Sequence, residues 1–521
     1  MTTMPEEQEA SMIWWRVRAV RSICVLLLVL SSFSVARAQS AEAALAGFDA
    51  YVSRAVKDWN TAGLAIVVVK DGKVAFLRTY GVREVGKPEP IDTATIFSIA
   101  STTKAMTAAA VGMLVDEGKV SWDDPVTKFV PTLQLYDPYV TRELTVRDLL
   151  THRAGLDGTD FLWTSNDLTS EEIVARLRLV RPSYSLRSTF SYQNVMYALA
   201  GEVVARASGM TWERFIESRI FLPLGMRRTF ATRELTRGAA NIASPHWRAG
   251  DTLTVIEDTP TAGISPAGGV WSSISDMARW TRFLLDSATI GKTRLLRRET
   301  FTELFTPQVV VPPDEFYVTA QLTRPHWMTY GLGWYQHDYR GRMVNFHTGS
   351  LDGTVALIGL MPDAGLGVYV LANTDHAEIR HALMYRVFDL FLGEPVRDWS
   401  DELHTLYARR EAQRDSSRHA VEAKRVKGTR PSLALDKYAG TYNDPLYGTM
   451  IVTLERGRLR ARLGLKATGT LEHFQYDTFR IRWDHSWEGT TPVTFNTGVN
   501  GIPEAANFGS YSLKRGVPRT E

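Results

Sequence analysis

Near its start the chain reads Gly63-Leu64-Ala65-Ile66-Val67-Val68-Val69 and then Lys70-Asp71-Gly72-Lys73-Val74-Ala75-Phe76-Leu77. The first run is rich in β-branched residues, which favour strands. Asp71-Gly72 stands between two apolar runs, and that arrangement is typical of a tight hairpin turn. The stretch therefore predicts a β-hairpin, whose strands need further partners to form a stable sheet.

Strand-like runs return only far along the chain, at residues 343–347, 354–360 and 367–372. Between the two groups the apolar periodicity is mostly helical. The helical patterns cover residues 105–118, 171–180, 194–208 and 275–285, and also 41–59 and 377–392. We therefore expect an α/β (α+β) fold with one antiparallel sheet built from both ends of this segment, terminal helices against it and a large helical insertion. A cleft should form where sheet and insertion meet.

The last third of the chain changes character twice. Residues 400–430 are dense in charge, which favours a solvated helical connector over a segment that binds nucleic acid or lipid. From Leu433 onward, short strand-like runs alternate with turn residues, which indicates a small antiparallel barrel or sandwich. We expect a first domain at residues 39–398, a connector at 399–430 and a β-domain at 431–521.

The first 38 residues have the pattern of a secretion signal. Arg16, Arg18 and Arg21 precede an uncharged stretch at residues 22–36, and Ala36-Arg37-Ala38 offers a cleavage site. The pattern predicts export to the periplasm or the medium. A permanent membrane anchor is the weaker alternative, because a spanning helix needs about 20 apolar residues. Translation from Met12 is a second alternative, because it removes an acidic start that is unusual for a signal.

Composition excludes several classes of function. The chain has 521 residues, of which 44% are hydrophobic and 22% charged, a composition typical of globular proteins. Its net charge is only +3, which is not the concentrated positive charge of a protein that binds nucleic acid. Its only cysteine, Cys24, lies in the signal, which rules out a thiol nucleophile or thiolate-bound metal in the exported protein. His376 and His381 have the wrong helical spacing for two ligands of one metal. We expect no metal and no cofactor.

One short motif carries potential nucleophilic chemistry. Ser101-Thr102-Thr103-Lys104 opens a helical pattern, and residues three apart share a helix face. A serine becomes a nucleophile when a base takes its proton. Lys104 can act as that base only if burial or another cation lowers its pKa from about 10.4. The competing interpretation is an ordinary helix start with an exposed lysine.

Two further motifs follow in order. Tyr192-Gln193-Asn194 stands at a helix entry, where a phenol can relay a proton to a leaving group and a carboxamide can hold a substrate amide. His347-Thr348-Gly349 ends a strand; its glycine lets a substrate backbone lie alongside, and the next N–H, that of Ser350, can share an oxyanion hole with that of Ser101. Taken singly, each motif is better explained structurally, the first as a capping turn with a buried tyrosine and the second as a strand with a structural histidine.

In this order the three motifs resemble those of the serine β-lactamase and penicillin-binding-protein superfamily, above all the branch with class C β-lactamases, D-Ala-D-Ala carboxypeptidases, D-aminopeptidases and related esterases. The resemblance spans about residues 45–395. Supporting segments lie at residues 97–100, 149–156, 266–273, 276–280 and 330–334. Residues 438–442 and 476–479 of the tail are similar to the lipocalin-like barrel appended to some of these hydrolases, where it covers the cleft, mediates assembly or serves as a structural lid.

The resemblance implies a role for each motif residue. Ser101 would be the acylated nucleophile, Lys104 its base and Tyr192 the proton relay. The substrate-binding residues would be Asn194 at the substrate amide and His347, Thr348, Gly349 and Ser350 along the strand, where they meet a carboxylate or carbonyl. His347 departs from the lysine of typical β-lactamases, and histidine is mostly neutral above pH 7. This departure shifts the expected substrates from antibiotics toward peptides, amides or esters.

The sequence thus predicts an exported, cofactor-free serine hydrolase that acts through an acyl-enzyme on small peptides, amides or esters, with cell-wall peptides among the candidates. The alternatives are a β-lactamase, a penicillin-binding receptor that is acylated without turnover, and a cell-wall binding module. Gly263-Ile264-Ser265-Pro266-Ala267 imitates a nucleophile elbow but lacks the final glycine, which argues against an α/β-hydrolase. Oligomerisation is compatible with the sequence and not required by it.

Overall fold

A computed structural model describes residues 40–164, 168–393, 395, 397–464, 467–509 and 511–516. The predicted signal at residues 1–38 lies outside these residues. The chain separates into two units with a boundary between Ala46 and Gly47. In the described part of the first unit, Ala41–Ala44 form one helical turn capped by the Ser40 side chain. The second unit holds the sheet, the helical insertion and the C-terminal β-domain.

An eight-stranded antiparallel sheet is the centre of the second unit. In chain order its strands are β1 (Gly63–Lys70), β2 (Lys73–Gly81), β3 (Val309–Val310), β4 (Met328–Tyr330), β5 (Tyr335–Tyr339), β6 (Arg342–Leu351), β7 (Thr354–Met361) and β8 (Leu366–Ala372). Their spatial order is β2-β1-β8-β7-β6-β5-β4-β3. The early hairpin therefore pairs with the last strand, which confirms the prediction of one sheet assembled from both ends.

The hairpin turn follows from two residues. Asp71 and Gly72 both have a positive φ, 50° and 71°, as a two-residue hairpin turn of this kind requires. Beyond the turn, β1 pairs with β2 on one side and with β8 on the other. Strands β1 and β8 are buried along almost their whole length, so both faces of the sheet centre are covered.

Helices cover the sheet and fill the insertion between β2 and β3. Ile274–Leu285 packs on β1 and β8, and Ile379–Leu392 packs on β7 and β8. The other helices up to β8 are Phe48–Asp58, Thr103–Asp116, Pro138–Glu143, Val146–Leu150, Phe161–Thr164, Ser170–Arg176, Val195–Ser208, Trp212–Ile216, Leu222–Leu224, Ser265–Gly268, Arg298–Leu304 and Ala320–Thr323. Residues 41–59, predicted as one helix, form two, because Gly47 takes a left-handed φ of 77° before Phe48.

A long helix and a closed barrel follow the sheet. Trp399–Ala423 is a 25-residue helix with most of its side chains in solvent. The eight barrel strands are Gly440–Asp444, Gly448–Glu455, Arg458–Leu463, Ala467–Gln475, Thr478–Trp483, Thr490–Thr497, Pro503–Phe508 and Tyr511–Arg515. Buried side chains such as Tyr438, Tyr442 and Phe495 fill the interior. The predicted small β-domain is therefore a closed, packed barrel.

Within the described ranges, no helix combines the length and the apolar character that a membrane crossing needs. The same part of the chain contains no group of three or more His, Cys, Asp or Glu side chains arranged to hold a metal ion.

Candidate active site

Ser101 lies in a tight turn that leads into a buried helix. Ala100–Thr102 form one 3₁₀ turn, and Thr103–Asp116 continues it as an α-helix. Ala100 has a left-handed φ of 45°, an uncommon conformation for a residue with a Cβ and one that is often found at functional sites. The Ser101 side chain is half-buried, so its hydroxyl stands at the edge of the core, where a ligand can reach it.

Strand β6 runs directly against this turn. A Cβ at Gly349 would lie 2.3 Å from the Ile99 carbonyl oxygen and 3.1 Å from the Ser101 nitrogen. Only glycine fits at that separation, so the glycine of the His347-Thr348-Gly349 motif allows the strand and the serine turn to touch. The motif's place beside Ser101 is thus set by backbone packing as well as by its side chains.

Lys104 supplies the amine next to the serine. Its Nζ lies 3.1 Å from Ser101 Oγ, 2.7 Å from Asn194 Oδ1 and 3.0 Å from the Ala267 carbonyl oxygen. The side chain is fully buried, in contrast to the exposed lysine of the competing interpretation. Burial lowers the pKa of Lys104 well below its usual value, and the Asp160 carboxylate opposes that shift in part. The site therefore favours the uncharged amine that a base requires.

Tyr192 closes the site on the other side. Its ring centroid lies 4.8 Å from Lys104 Nζ, and its hydroxyl interacts with Ser101. Burial raises the pKa of the Tyr192 phenol well above 10, although the contact with Ser101 pulls it down. The phenol therefore keeps its proton and can donate it, as a relay to a leaving group must. Its segment leads into Val195–Ser208, which packs against the helix that carries Lys104.

The Asn194 carboxamide lies between Lys104 and Asp160. Its amide oxygen accepts from Lys104, and its amide nitrogen donates to Asp160 Oδ1 at 3.0 Å. Both ends of the carboxamide are thus bound within the protein, so Asn194 orients the amine as much as it faces a substrate. Asp160 was missed by sequence reasoning, because a single aspartate in a loop has no motif to mark it.

His347 is neutral and fully bonded. Its Nδ1 lies 2.7 Å from the Thr348 carbonyl oxygen and therefore donates to it, so Nε2 accepts from the Tyr330 hydroxyl at 3.0 Å. Burial, and to a smaller extent the charge of Lys104, lower the pKa of His347 to about 3. The Thr348 hydroxyl pairs with that of Tyr317 at 2.6 Å. A cationic clamp for a carboxylate does not fit this histidine.

A buried ion pair supports the end of β6. Arg380 donates to the Gly349 carbonyl oxygen, to Ser350 Oγ at 2.9 Å and to the Ala356 carbonyl oxygen at 3.2 Å. Its partner is Glu378, at 3.1 Å. Burial alone would raise the pKa of Glu378, but the guanidinium holds it below its usual value. The pair fixes the strand end beside the serine and leaves Arg380 balanced by a carboxylate.

His152 is a second residue that sequence reasoning did not place in the site. Its ring centroid lies 4.3 Å from that of Tyr192, and its Nδ1 accepts the Gln193 N–H at 3.0 Å. Burial first, and then the repulsion that protonated Lys104 and His347 would exert, lower the pKa of His152 well below 6.5. The neutral ring supports Tyr192 from behind. Its only sequence signal is the segment at residues 149–156 that resembles the superfamily.

The structure thus brings Ser101, Lys104, Tyr192 and Asn194 together, with Gly349 touching the same turn. A serine hydroxyl beside a desolvated amine and a protonated phenol, held between a sheet and a helical insertion, defines the class of serine acyl-transfer proteins with a β-lactamase fold. The comparisons with known proteins identify the family. The Beta-lactamase family model matches residues 48–390, and the chain belongs to that family.

Individual relatives extend the likeness beyond this domain. The chain is 28% identical over 502 residues to the unguisins hydrolase ungD of Aspergillus violaceofuscus, with 89% of this chain and 87% of that protein covered. A model for a domain of unknown function matches residues 424–515, which include the barrel.

Two solved structures share the fold. The octameric penicillin-binding protein homologue from Pyrococcus abyssi superposes with a TM-score of 0.60 at 24% identity, over 90% of this chain and 99% of that one. The D-amino acid amidase from Ochrobactrum anthropi SV3, complexed with L-phenylalanine amide, gives 0.55 at 22% identity, over 66% and 98%. The predicted membership of the β-lactamase and penicillin-binding-protein superfamily is confirmed.

Proposed function

We propose that the protein is a serine hydrolase that forms an acyl-enzyme at Ser101 and acts on small peptide, amide or ester substrates. The observation that carries the proposal is the buried Lys104 amine, 3.1 Å from Ser101 Oγ. An amine kept neutral by burial can take the serine proton, whereas an exposed ammonium cannot. Membership of a family of serine acyl-transfer hydrolases supports the same reaction.

The reaction proceeds in two halves. Lys104 takes the proton of Ser101 as Oγ bonds to the substrate carbonyl carbon, and the N–H groups of Ser101 and Ser350 stabilise the oxyanion. Tyr192 gives its proton to the leaving amine or alcohol as that bond breaks, and regains one from Lys104. Water then adds to the acyl carbon and gives a proton to the Lys104 amine. As the bond between the acyl carbon and Oγ breaks, Lys104 returns that proton to Oγ, which restores Ser101 and releases the acid.

The charges beside β6 favour substrates without a carboxylate at that position. His347 is neutral with both ring nitrogens bonded, and the charge of Arg380 is balanced by Glu378. A β-lactam antibiotic carries a carboxylate, which gains little from such partners. Two proteins of similar fold or sequence are a D-amino acid amidase and an unguisins hydrolase, which agrees with amide substrates. β-Lactamase activity remains the alternative.

Export to the periplasm or the medium is part of the proposal. It is supported by the basic residues Arg16, Arg18 and Arg21 ahead of the uncharged stretch and by the small residues at Ala36 and Ala38. Expression of the full chain in a bacterial host, followed by fractionation and amino-terminal sequencing of the product, tests it. Product that begins near Gln39 outside the cytoplasm supports export, and full-length product in the cytoplasm contradicts it.

A substrate panel tests the proposed reaction. The purified protein is given p-nitrophenyl esters, D-amino-acid amides and peptides, and the β-lactam nitrocefin. Repeated turnover of an ester or amide that disappears in Ser101→Ala is expected, because Ser101 Oγ is the aliphatic hydroxyl that contacts the Lys104 amine, at 3.1 Å. Ser417→Ala, on the exposed helix Trp399–Ala423, is the matched control and should leave turnover unchanged.

The alternatives give different results in the same panel. A single burst without turnover supports a penicillin-binding receptor, and rapid nitrocefin hydrolysis supports a β-lactamase. Turnover that persists in Ser101→Ala would contradict the assignment of the nucleophile.

A further inference from the structure

The first turn of the barrel is docked onto the insertion. It joins the strands Gly440–Asp444 and Gly448–Glu455, and Asp444 Oδ1 fixes it by accepting the N–H groups of Leu446 at 2.8 Å and Tyr447 at 2.9 Å. Leu446 is only 8% exposed, because its side chain belongs to the hydrophobic core of the sheet and insertion. Arg176 donates to the Leu446 carbonyl oxygen at 3.2 Å. This barrel turn is therefore a fixed contact.

Two tyrosines of the barrel hold one phenylalanine of the insertion. The Tyr447 ring lies 4.4 Å from that of Phe161, the Tyr511 ring lies 5.6 Å from it, and the two tyrosine rings are 4.3 Å apart. Such aromatic contacts add stability beyond the area they bury. The three rings also line a cleft of about 540 Å³ at this junction.

The residue before Phe161 is a partner of the active site. Asp160 accepts from Asn194 Nδ2 at 3.0 Å and from Trp163 Nε1 at 2.9 Å. Asn194 in turn accepts from Lys104 at 2.7 Å. The path from the barrel to the base thus consists of one ring cluster, one peptide link and two hydrogen bonds.

We propose that the barrel is a positioning element of the catalytic site, in which Tyr447 and Tyr511 hold Phe161 and thereby keep the Asp160 carboxylate against Asn194. This inference rests on the proposed function. The barrel contributes no atom to the reaction. It sets the orientation of the Asn194 carboxamide, and with it the direction of the Lys104 amine.

The coupling between the barrel and Lys104 can be measured through the pH dependence of the reaction, because Asp160 influences the pKa of Lys104. The titratable groups around the amine are Asp160, the phenols of Tyr192 and Tyr197, and the two buried histidines His152 and His347. Asp160 raises the pKa of Lys104 against the effect of burial. If Asp160 moves away, the pKa of Lys104 falls, and the ammonium gives up its proton at a lower pH. The acid limb of the pH profile of kcat/KM therefore moves to lower pH.

The test is a double-mutant cycle on the full chain. The variants Tyr447→Ala, Asp160→Asn and their combination are assayed with a p-nitrophenyl ester across pH. We expect Tyr447→Ala to lower kcat/KM about tenfold and to move the acid limb in the same direction as Asp160→Asn. The combined variant should match Asp160→Asn alone, because both changes disrupt the same interaction, the one between Asp160 and Asn194. Tyr447→Phe, which keeps the ring, should behave as wild type.

Controls separate this coupling from a loss of folding. Tyr476→Ala removes an exposed tyrosine of the same barrel and should leave rate and pH profile unchanged. If Tyr447→Ala does not fold, Tyr511→Ala removes the second ring from Phe161 and carries the same expectations. Additive effects in the double variant, or a wild-type profile in Tyr447→Ala, overturn the inference while the proposed function stands. A wild-type protein without Ser101-dependent acylation overturns both.

Discussion

The chemistry of Lys104 depends on its burial. A lysine side chain in water keeps its proton up to about pH 10. Here the amine is held by Ser101, Asn194 and a backbone carbonyl oxygen, with aromatic rings on two sides, so water cannot stabilise the charge. The same amino acid on the exposed face of a helix would have no such reactivity.

Substitution of Lys104 tests that view. We expect Lys104→Met to lower kcat/KM for an ester by at least about a thousandfold, because the serine loses its base. Lys104→Arg should be equally inactive, because a guanidinium does not lose its proton. Steady-state assays measure the rates, and Lys437→Met, at an exposed position in the turn before the first barrel strand, is the control. An active arginine variant would show that Lys104 is not the base.

The neutrality of His347 gives a prediction about pH. With a pKa of about 3, the ring gains no charge between pH 8 and pH 5, so a substrate carboxylate gains no partner there as the pH falls. We expect the ratio of kcat/KM for nitrocefin to that for a neutral ester to stay constant over this range. A ratio that rises as pH falls through 6.5 would show that the histidine is protonated in the complex.

Among the structural elements, β6 and the serine turn form the contact on which the site depends. We expect Gly349→Ala to lower the free energy of unfolding by about 1–3 kcal/mol and to lower kcat, because its Cβ must displace the Ile99 carbonyl or the Ser101 backbone. Denaturant unfolding and ester turnover measure the two effects.

Gly268→Ala is the matched control for this contact. It also lies near Ser101, but its Cβ would meet ordinary contacts of 3.6–3.8 Å. We expect near-native stability and rate from it. Equal losses in the two variants would mean that the close approach of β6 is not the cause.

The sequence was sufficient to predict which segments form the site, but not the contacts that orient the side chains within it. The spacing from Ser101 to Lys104 is local, so helix geometry alone brings the hydroxyl and the amine together. The orientation of the Asn194 carboxamide depends on Asp160, and Asp160 depends on Phe161 and its neighbours. Such a chain of contacts has no periodicity or motif, so it becomes visible only in three dimensions.

At the scale of the whole molecule, the periodicity of the sequence was sufficient to predict the sheet, the helical insertion and the β-domain. It was insufficient to predict the contact between the β-domain and the insertion. The alternation of strand, helix and strand patterns predicted the antiparallel sheet with its helical insertion, and the regular short strands predicted a separate β-domain. Leu446 of the barrel packs into the core of the sheet and insertion. This contact depends on two surfaces that become complementary only when both parts have folded. Nothing in a single sequence marks such a pair.

The position of β1 between β2 and β8 has a consequence for biosynthesis. Half of the hydrogen-bonding groups of β1 have no partner until residues 366–372 have been made. Bringing these strands together closes a loop of about 300 residues, which is a slow step in folding. A nascent chain that already contains Ser101 and Lys104 still lacks the strand against which the serine turn packs. Catalysis can therefore begin only after the ribosome has passed β8, and truncated products of this chain are expected to be inert.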